Sequence, residues 1–338
     1  MSRVCCLTGA AGYIGSWLVK KLLDRGCIVH ATLRNLADEK KTALLRALPG
    51  AAERLVLFQA DMYDAATFEP AIAGCEFVFL VAAPMLQDIT AGRSKDATEG
   101  NVAATRAILQ QCERAKTVRR VIHTGSVVAA SPLKEDGQGF KDFVDECCWT
   151  PLNLSYGYSN EFLDVYVYSK VLSEKELLSY TDSPSKAFEV VTLLCGLVAG
   201  DTLLPHAPIS IQSVVSPLTG DELYQNALRF MQALLGAVPL AHVDDVCEAH
   251  AFCMERPAPV AGRFLCAAGH PNMRDVVDHY GRKHPDLKLQ IKEVAGEGVR
   301  VRPETDTGKL VDMGFKYRYG VEEVLDGSVE CAKRLGVL

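Results

Sequence analysis

The stretch LTGAAGYIGSWLV, residues 7–19, sets Gly9, Gly12 and Gly15 at intervals of three. An apolar run, RVCCLT (3–8), precedes it, and Ile14, Leu18, Leu22 and Leu23 follow at helical spacing through 13–25. The reading is strand, tight turn, helix. Gly9 permits the turn, Gly12 lets backbone approach a pyrophosphate, and Gly15 lets the helix pack close to the strand. The helix N-terminus then faces the phosphates with amides that have no acceptor inside the helix.

Working outward, the alternation repeats. CIVHATL (27–33), RLVLFQA (54–60), EFVFLVAA (76–83) and RRVIHTG (119–125) read as further strands, with helices at 36–48, around 65–73 and at 96–115. Strands apolar throughout and separated by helices indicate a parallel sheet covered on both faces. A helix fits 161–180 and a strand AFEVVTLLCGLVAG (187–200). The fold class is α/β, a Rossmann-type doubly wound parallel sheet. After residue 200 the pattern changes. Residues 201–222, rich in Pro, Ser and Thr, read as loop, followed by helices near 223–235, 243–255 and 321–336 and a strand at GRFLCAA (262–268). The expected division is a cofactor domain over 1–200 and a smaller substrate-binding cap over 201–338, with some chain returning.

The chain has 338 residues, 49% apolar and 23% charged, with a formal net charge of −6. No basic block points to nucleic acid, and no apolar run approaches the ~18 residues of a spanning helix. The N-terminus resembles a short signal sequence only superficially, since its glycines belong to the turn. Twelve cysteines are scattered without CxxC pairs or zinc spacing and read as core residues, as in a reducing compartment. The expectation is a cytoplasmic enzyme with no metal and a small-molecule substrate.

VYVYSK (165–170) raises the chemistry. Tyr166 and Lys170 are four apart and share a helix face, while Tyr168 points elsewhere. HTGSVVAASP places Ser126 at the end of the fifth strand, forty residues before Tyr166. Ligands bind beyond the C-terminal ends of such strands. Reducing a ketone adds hydride to carbon and a proton to oxygen. Ser126 can hold the carbonyl oxygen and Tyr166 can supply the proton. A free phenol ionises only near pH ~10. An adjacent ammonium, Lys170, and the positive oxidised nicotinamide both favour a phenolate. The second strand ends ATLRN, with Arg34 where an NAD enzyme usually carries an acid, so NADP(H) is preferred. Asp61 and Met62 could edge the adenine.

The glycine turn, the strand-end serine and YxxxK together resemble the extended short-chain dehydrogenase/reductase family. ADMYDAATFEPAIAGCEFVFLVAAP (60–84), KTVRRVIHTGSV (116–127), AHVDDVCEAHAFCME (241–255), GRFLCAA and GFKYRYGVEEVLDGSVE (314–330) are similar to its plant dihydroflavonol 4-reductase, flavanone 4-reductase and anthocyanidin reductase group. VIHTGSVVAASPL (121–133), CWTPLN (148–153) and FEVVTLLCGLVAGDT (188–202) are similar to its HC-toxin reductase branch. The resemblance implies an NADPH-dependent reductase with Ser126, Tyr166 and Lys170 in catalytic positions and Arg34 and Lys41 on the 2′-phosphate. The expected cofactor shell is Thr8, Gly9, Gly12, Tyr13, Ile14, Gly15, Arg34, Lys41, Asp61, Met62, Val81, Ala82, Ala83 and Thr124, with Tyr166 and Lys170. The expected substrate contacts are Met85, Ser131, Tyr158, Leu204, Ile209 and Tyr224, with Leu86 and Val127 as further lining.

Two positions depart from the family. Ser131 stands where dihydroflavonol reductases carry an Asn that holds substrate hydroxyls, and Leu194 or Cys195 where they carry a Pro, so altered backbone is expected there. The leading reading is reduction of a flavonoid C4 ketone. Alternatives are an anthocyanidin reductase, a detoxifying ketone reductase of the HC-toxin type, and a dinucleotide-sensing binding protein. Asp244 in AHVDDV is expected to cap the helix that follows, and His123 to be a core histidine.

Overall fold

A computed structural model describes residues 2–82, 94–181, 186–257, 259–291, 294, 304–305 and 308–338. The strands are β1 (Val4–Leu7), β2 (Ile28–Leu33), β3 (Leu55–Gln59), β4 (Phe77–Leu80), β5 (Arg120–Ser126), β6 (Phe143–Val144), β7 (Glu189–Cys195), β8 (Leu197–Ala199), β9 (Leu240–His242), β10 (Gly262–Cys266) and β11 (Glu304–Thr305). The α-helices are α1 (Tyr13–Asp24), α2 (Glu39–Arg46), α3 (Ala51–Arg54), α4 (Glu69–Ile72), α5 (Ser94–Ala115), α6 (Glu161–Thr181), α7 (Ile209–Thr219), α8 (Glu222–Leu235), α9 (Val243–Glu255), α10 (Met273–Lys283), α11 (Gly308–Asp312) and α12 (Val321–Arg334).

Seven strands form one sheet in the order β10-β7-β5-β4-β1-β2-β3. The pairs β1–β2, β1–β4, β2–β3 and β4–β5 are parallel, with Cys5 opposite Val29 on one side and Phe77 on the other. Order reverses between β1 and β4, the switch point at which such sheets bind ligands. All four residues of β4 are buried, as continuous apolar strands require when helices cover both faces. On one face Cys6, Val78, Val121 and Val190 pack with Phe68, Ile72, Ile108 and Leu177. Eleven of the cysteines are buried and Cys147 is exposed, in line with their reading as core residues.

The chain forms two compact units, Met1–Gly125 with Glu161–Leu193 and Cys247–Arg263, and Ser126–Asn160 with Leu194–Val246 and Phe264–Leu338. Segments on both sides of the expected 200/201 boundary thus belong to each unit. Three of the five boundaries fall within β5, β7 and β10, strands that begin in the first unit. A composition change at residue 200 carries no trace of that interleaving.

Residues 209–219, expected as loop, are helix α7 despite Pro217 inside it. A proline removes the bond to the carbonyl four residues back. Here that carbonyl, of Ser213, accepts from Ser216 Oγ at 2.7 Å, so nothing is left unmet. Helix α10 also escaped the sequence reading. The expected strand 187–200 breaks at Gly196, where a Cβ would stand 2.8 Å from the Pro239 carbonyl oxygen. Asp244 is not a cap. It lies inside α9, and its N–H donates to His242 Nδ1 at 3.1 Å, so His242 does the capping. Asp245 instead accepts from the Arg318 and Tyr319 amides at 3.0 Å each.

Candidate active site

The glycine turn is held by close backbone approach. Gly9 has φ +68°, and a Cβ there would lie 3.0 Å from Ala82 Cα. A Cβ on Gly15 would lie 2.2 Å from the Gly9 carbonyl oxygen, so α1 can begin this close to the turn only with glycine. Gly12 caps α1 without a side chain and no acid stands in the first turn, which leaves that helix end complementary to an anion.

Gly9, Gly12, Tyr13, Ile14, Gly15, Arg34, Lys41, Asp61, Met62, Val81 and Ala82 line one cleft of about 470 Å³. Thr32, Asn35 and Ala60 join them, unsuspected from sequence. The donor set fits a dinucleotide: glycine backbone and a helix end for the pyrophosphate, and a guanidinium and an ammonium beyond β2 for a phosphorylated ribose. Lys41 is shared, because its Nζ stands 3.0 Å from Asp38 Oδ2. That ammonium, with the Lys41 amide, holds the Asp38 carboxyl below the usual range. Thr8 is fully buried and lies behind the turn. Its Oγ1 accepts from the Val81 and Ala82 amides at 2.9 and 3.0 Å, so it shapes the cleft instead of facing a ligand. Ala83, Met85 and Leu86 lie outside the described residues.

Helix α6 presents the pair. Tyr166 is half-buried, with Lys170 Nζ 5.9 Å from its ring centre and Phe162 stacked one turn earlier at 6.4 Å and 9°. Tyr168 is exposed, on a different face. Lys170 is 8% exposed and its Nζ donates to the Thr124 carbonyl at 3.3 Å. Lys170 also borders a void of about 10 Å³ with Met62 and Ala82, two residues of the cleft. Thr124 therefore positions Lys170, and its Oγ1 meets His250 Nε2 at 2.8 Å.

Three supports of this helix were not read from sequence. Asn101 Nδ2 donates to Ser169 and Ser173 Oγ at 2.9 and 3.1 Å, on either side of Lys170. Glu174, one turn after Lys170, pairs with Arg263 through two bonds of 2.9 and 3.2 Å, the side chains 1% and 6% exposed. Burial pushes the Glu174 carboxyl up, while Arg263 and Lys170 pull it down. The i, i+4 spacing of Lys170 and Glu174 was the available signal.

His123 is buried as expected, its Nδ1 2.7 Å from Thr192 Oγ1. Burial first, then Lys170 and His250, hold its imidazole well below the usual range. The folded chain therefore keeps His123 neutral where the unfolded chain takes up a proton near pH ~6.5. Unfolding then binds a proton, so stability is lost as pH falls below that value, by at most about 2 kcal/mol at pH 5 from this residue. Urea unfolding at pH 7 and pH 5 should show a drop that shrinks by that amount in His123→Gln. An equal drop in both proteins would remove His123 from the acid sensitivity.

The other expected residues belong to the second unit. Ser126 closes β5 and its Oγ accepts from the Val128 amide at 3.4 Å. Ser131 is 0% exposed. Its hydroxyl donates to the Leu234 carbonyl and accepts from the Leu133 amide, which ties it to the chain and leaves it no surface for substrate. Val127 and Leu204 are buried, Tyr224 is half-buried on α8, and Tyr158 and Ile209 are exposed. Leu194 and Cys195 continue β7 without interruption, so the altered backbone expected at the missing proline is not found, and the strand ends before Gly196.

The profile of the NAD dependent epimerase/dehydratase family matches residues 5–266. The chain belongs to that family. A Ginkgo biloba protein provisionally named anthocyanidin reductase is 36% identical, over 98% of this chain and 95% of that one. The (2S)-flavan-3-ol-forming anthocyanidin reductase of Vitis vinifera is 34% identical over 99% and 97%. The crystal structure of vestitone reductase from alfalfa, Medicago sativa, is 31% identical with a TM-score of 0.78 over 99% of each chain. Like these extended short-chain dehydrogenases/reductases, the protein is an oxidoreductase that uses a nicotinamide dinucleotide. Among the described residues no helix is long and apolar enough to cross a membrane.

Proposed function

We propose that this family member is an NADPH-dependent reductase of a flavonoid C4 ketone, a flavanone or dihydroflavonol reduced to the flavan-4-ol. The observation that carries the reading is the Tyr166–Lys170 pair on α6, with Lys170 anchored on the β5 backbone and bordering the residues of the glycine-turn cleft. Flavonoid reductases among the relatives support the substrate class. A bound reduced nicotinamide supplies the hydride. Tyr166 gives its phenolic proton to the new alkoxide, and Lys170 holds positive charge beside the phenol as that proton leaves. Ser126 is assigned the hydrogen bond to the carbonyl oxygen from its place at the end of β5. With the Ser131 hydroxyl committed to backbone, a flavanone, which has no 3-hydroxyl to hold, is the first substrate to try.

The anthocyanidin reductase reading is favoured by two of the relatives, 36% and 34% identical, against 31% for the dihydroflavonol 4-reductase of Callistephus chinensis. NADPH oxidation with naringenin, dihydroquercetin or cyanidin, with product identification, separates the two. Turnover of either ketone supports the proposal, turnover of cyanidin alone supports the second reading, and none with any of the three overturns both.

The choice of NADPH over NADH rests on Arg34 beyond β2, since Lys41 is partly neutralised by Asp38. Arg34→Ala should raise the KM for NADPH by about tenfold or more, the worth of one charged hydrogen bond, and leave that for NADH nearly unchanged. Equal changes for both cofactors would remove the phosphate role.

A further inference from the structure

Helices α10 and α12 of the second unit bring together three groups that the reductase chemistry does not use. His279 lies on α10, His284 caps its C-terminal end, and Asp326 faces both from α12. His279 Nε2 is 2.7 Å and His284 Nε2 2.9 Å from the same oxygen, Asp326 Oδ1. The two imidazole side chains are 4% and 13% exposed and the carboxylate 37%, so the nitrogens are largely sheltered while the carboxylate opens to water. One ligand atom from each residue lies within 4.8 Å of the others.

A second feature lies on the far side of His279. Its Nδ1 is buried with no hydrogen-bond partner, and Glu322 Oε1 stands 3.8 Å away. While Nε2 carries the proton donated to Asp326, Nδ1 is a lone pair facing a carboxylate. A cation on Nε2 reverses this. It takes the Nε2 lone pair, moves the proton to Nδ1, and turns the mismatch into a donor aimed at Glu322. Carboxylate, imidazole, metal is the usual order around a metal-bound histidine, in which the outer carboxylate fixes the tautomer.

We propose that His279, His284 and Asp326 bind a divalent cation of the zinc class, with Glu322 orienting His279. Two imidazoles and one carboxylate suit zinc or cobalt better than magnesium or calcium, which prefer all-oxygen sets. Zinc bonds of ~2.0–2.1 Å set neighbouring ligand atoms about 3.3 Å apart in a tetrahedron, so each imidazole nitrogen moves roughly half an ångström away from the Asp326 oxygen. The fourth position falls on the open side of Asp326 and takes water. The sequence offers no familiar signature, because the two histidines are five apart and the carboxylate comes from another helix. The cation would clamp α10 to α12.

Cobalt(II) and zinc titrations of the full-length protein test this. One equivalent of cobalt should give a visible d–d band without a thiolate charge-transfer band, and zinc should raise the melting temperature. His284→Gln and Asp326→Asn should each weaken zinc binding at least ~10-fold by calorimetry, and Glu322→Gln, acting through His279, by about 10-fold. No d–d band, a thiolate band that marks capture by cysteine, or unchanged affinity in both His284→Gln and Asp326→Asn would overturn the proposal.

Discussion

Tyr166→Phe lowers turnover by ~10²-fold or more while NADPH affinity stays within a factor of about two. The substitution keeps the ring that stacks on Phe162 and lies beside Lys170, and deletes only the hydroxyl. What is lost is the proton donor, present in the transition state and absent from cofactor binding. Fluorescence titration of NADPH and steady-state rates on the substrate found by the panel give the two numbers. Retained turnover would show that another acid protonates the product. Exposed Tyr168 is the neighbour to mutate next, although it has no lysine four residues on.

The second large effect is on stability. Arg263→Met strips the buried Glu174 of its two-bond partner, and removing one member of a buried pair costs ~3–5 kcal/mol, against a total stability of ~5–15 kcal/mol. The cost comes from a carboxylate left in the interior, so Glu174→Leu combined with Arg263→Met should recover most of it. Urea unfolding of the two single variants and the double closes the cycle. If the double variant is as unstable as Arg263→Met alone, the pair serves packing and not charge compensation. Glu174 stands one turn from Lys170 on α6, so Arg263→Met should also lower turnover in the fraction that remains folded.

Much of the site lies in local sequence. The glycine spacing, the apolar strands and the Tyr166–Lys170 interval are each properties of a few consecutive residues, and the structure carries them as the glycine turn, the covered sheet and one helix face. Residues read from family position alone fared less evenly. Thr8 and Ser131 proved to be interior straps, because each hydroxyl is bonded to backbone and both residues are 0% exposed, with no surface left for a ligand. Helix α7 was hidden by composition. Pro217 reads as a breaker until Ser216 is seen to take the stranded carbonyl.

By itself, the order of residues determined the sheet, the dinucleotide turn and the phenol–ammonium pair, since each follows from short-range stereochemistry and the repeat of apolar side chains. Only the folded chain decided that Asn101 braces α6, that Arg263 neutralises Glu174, that β5, β7 and β10 each begin in one unit and end in the other, and that two histidines meet one aspartate. Those partners are from 42 to 89 residues apart, and backbone periodicity carries no information over such a separation. Burial selects them, because a polar group taken from water must find its complement wherever the chain brings one.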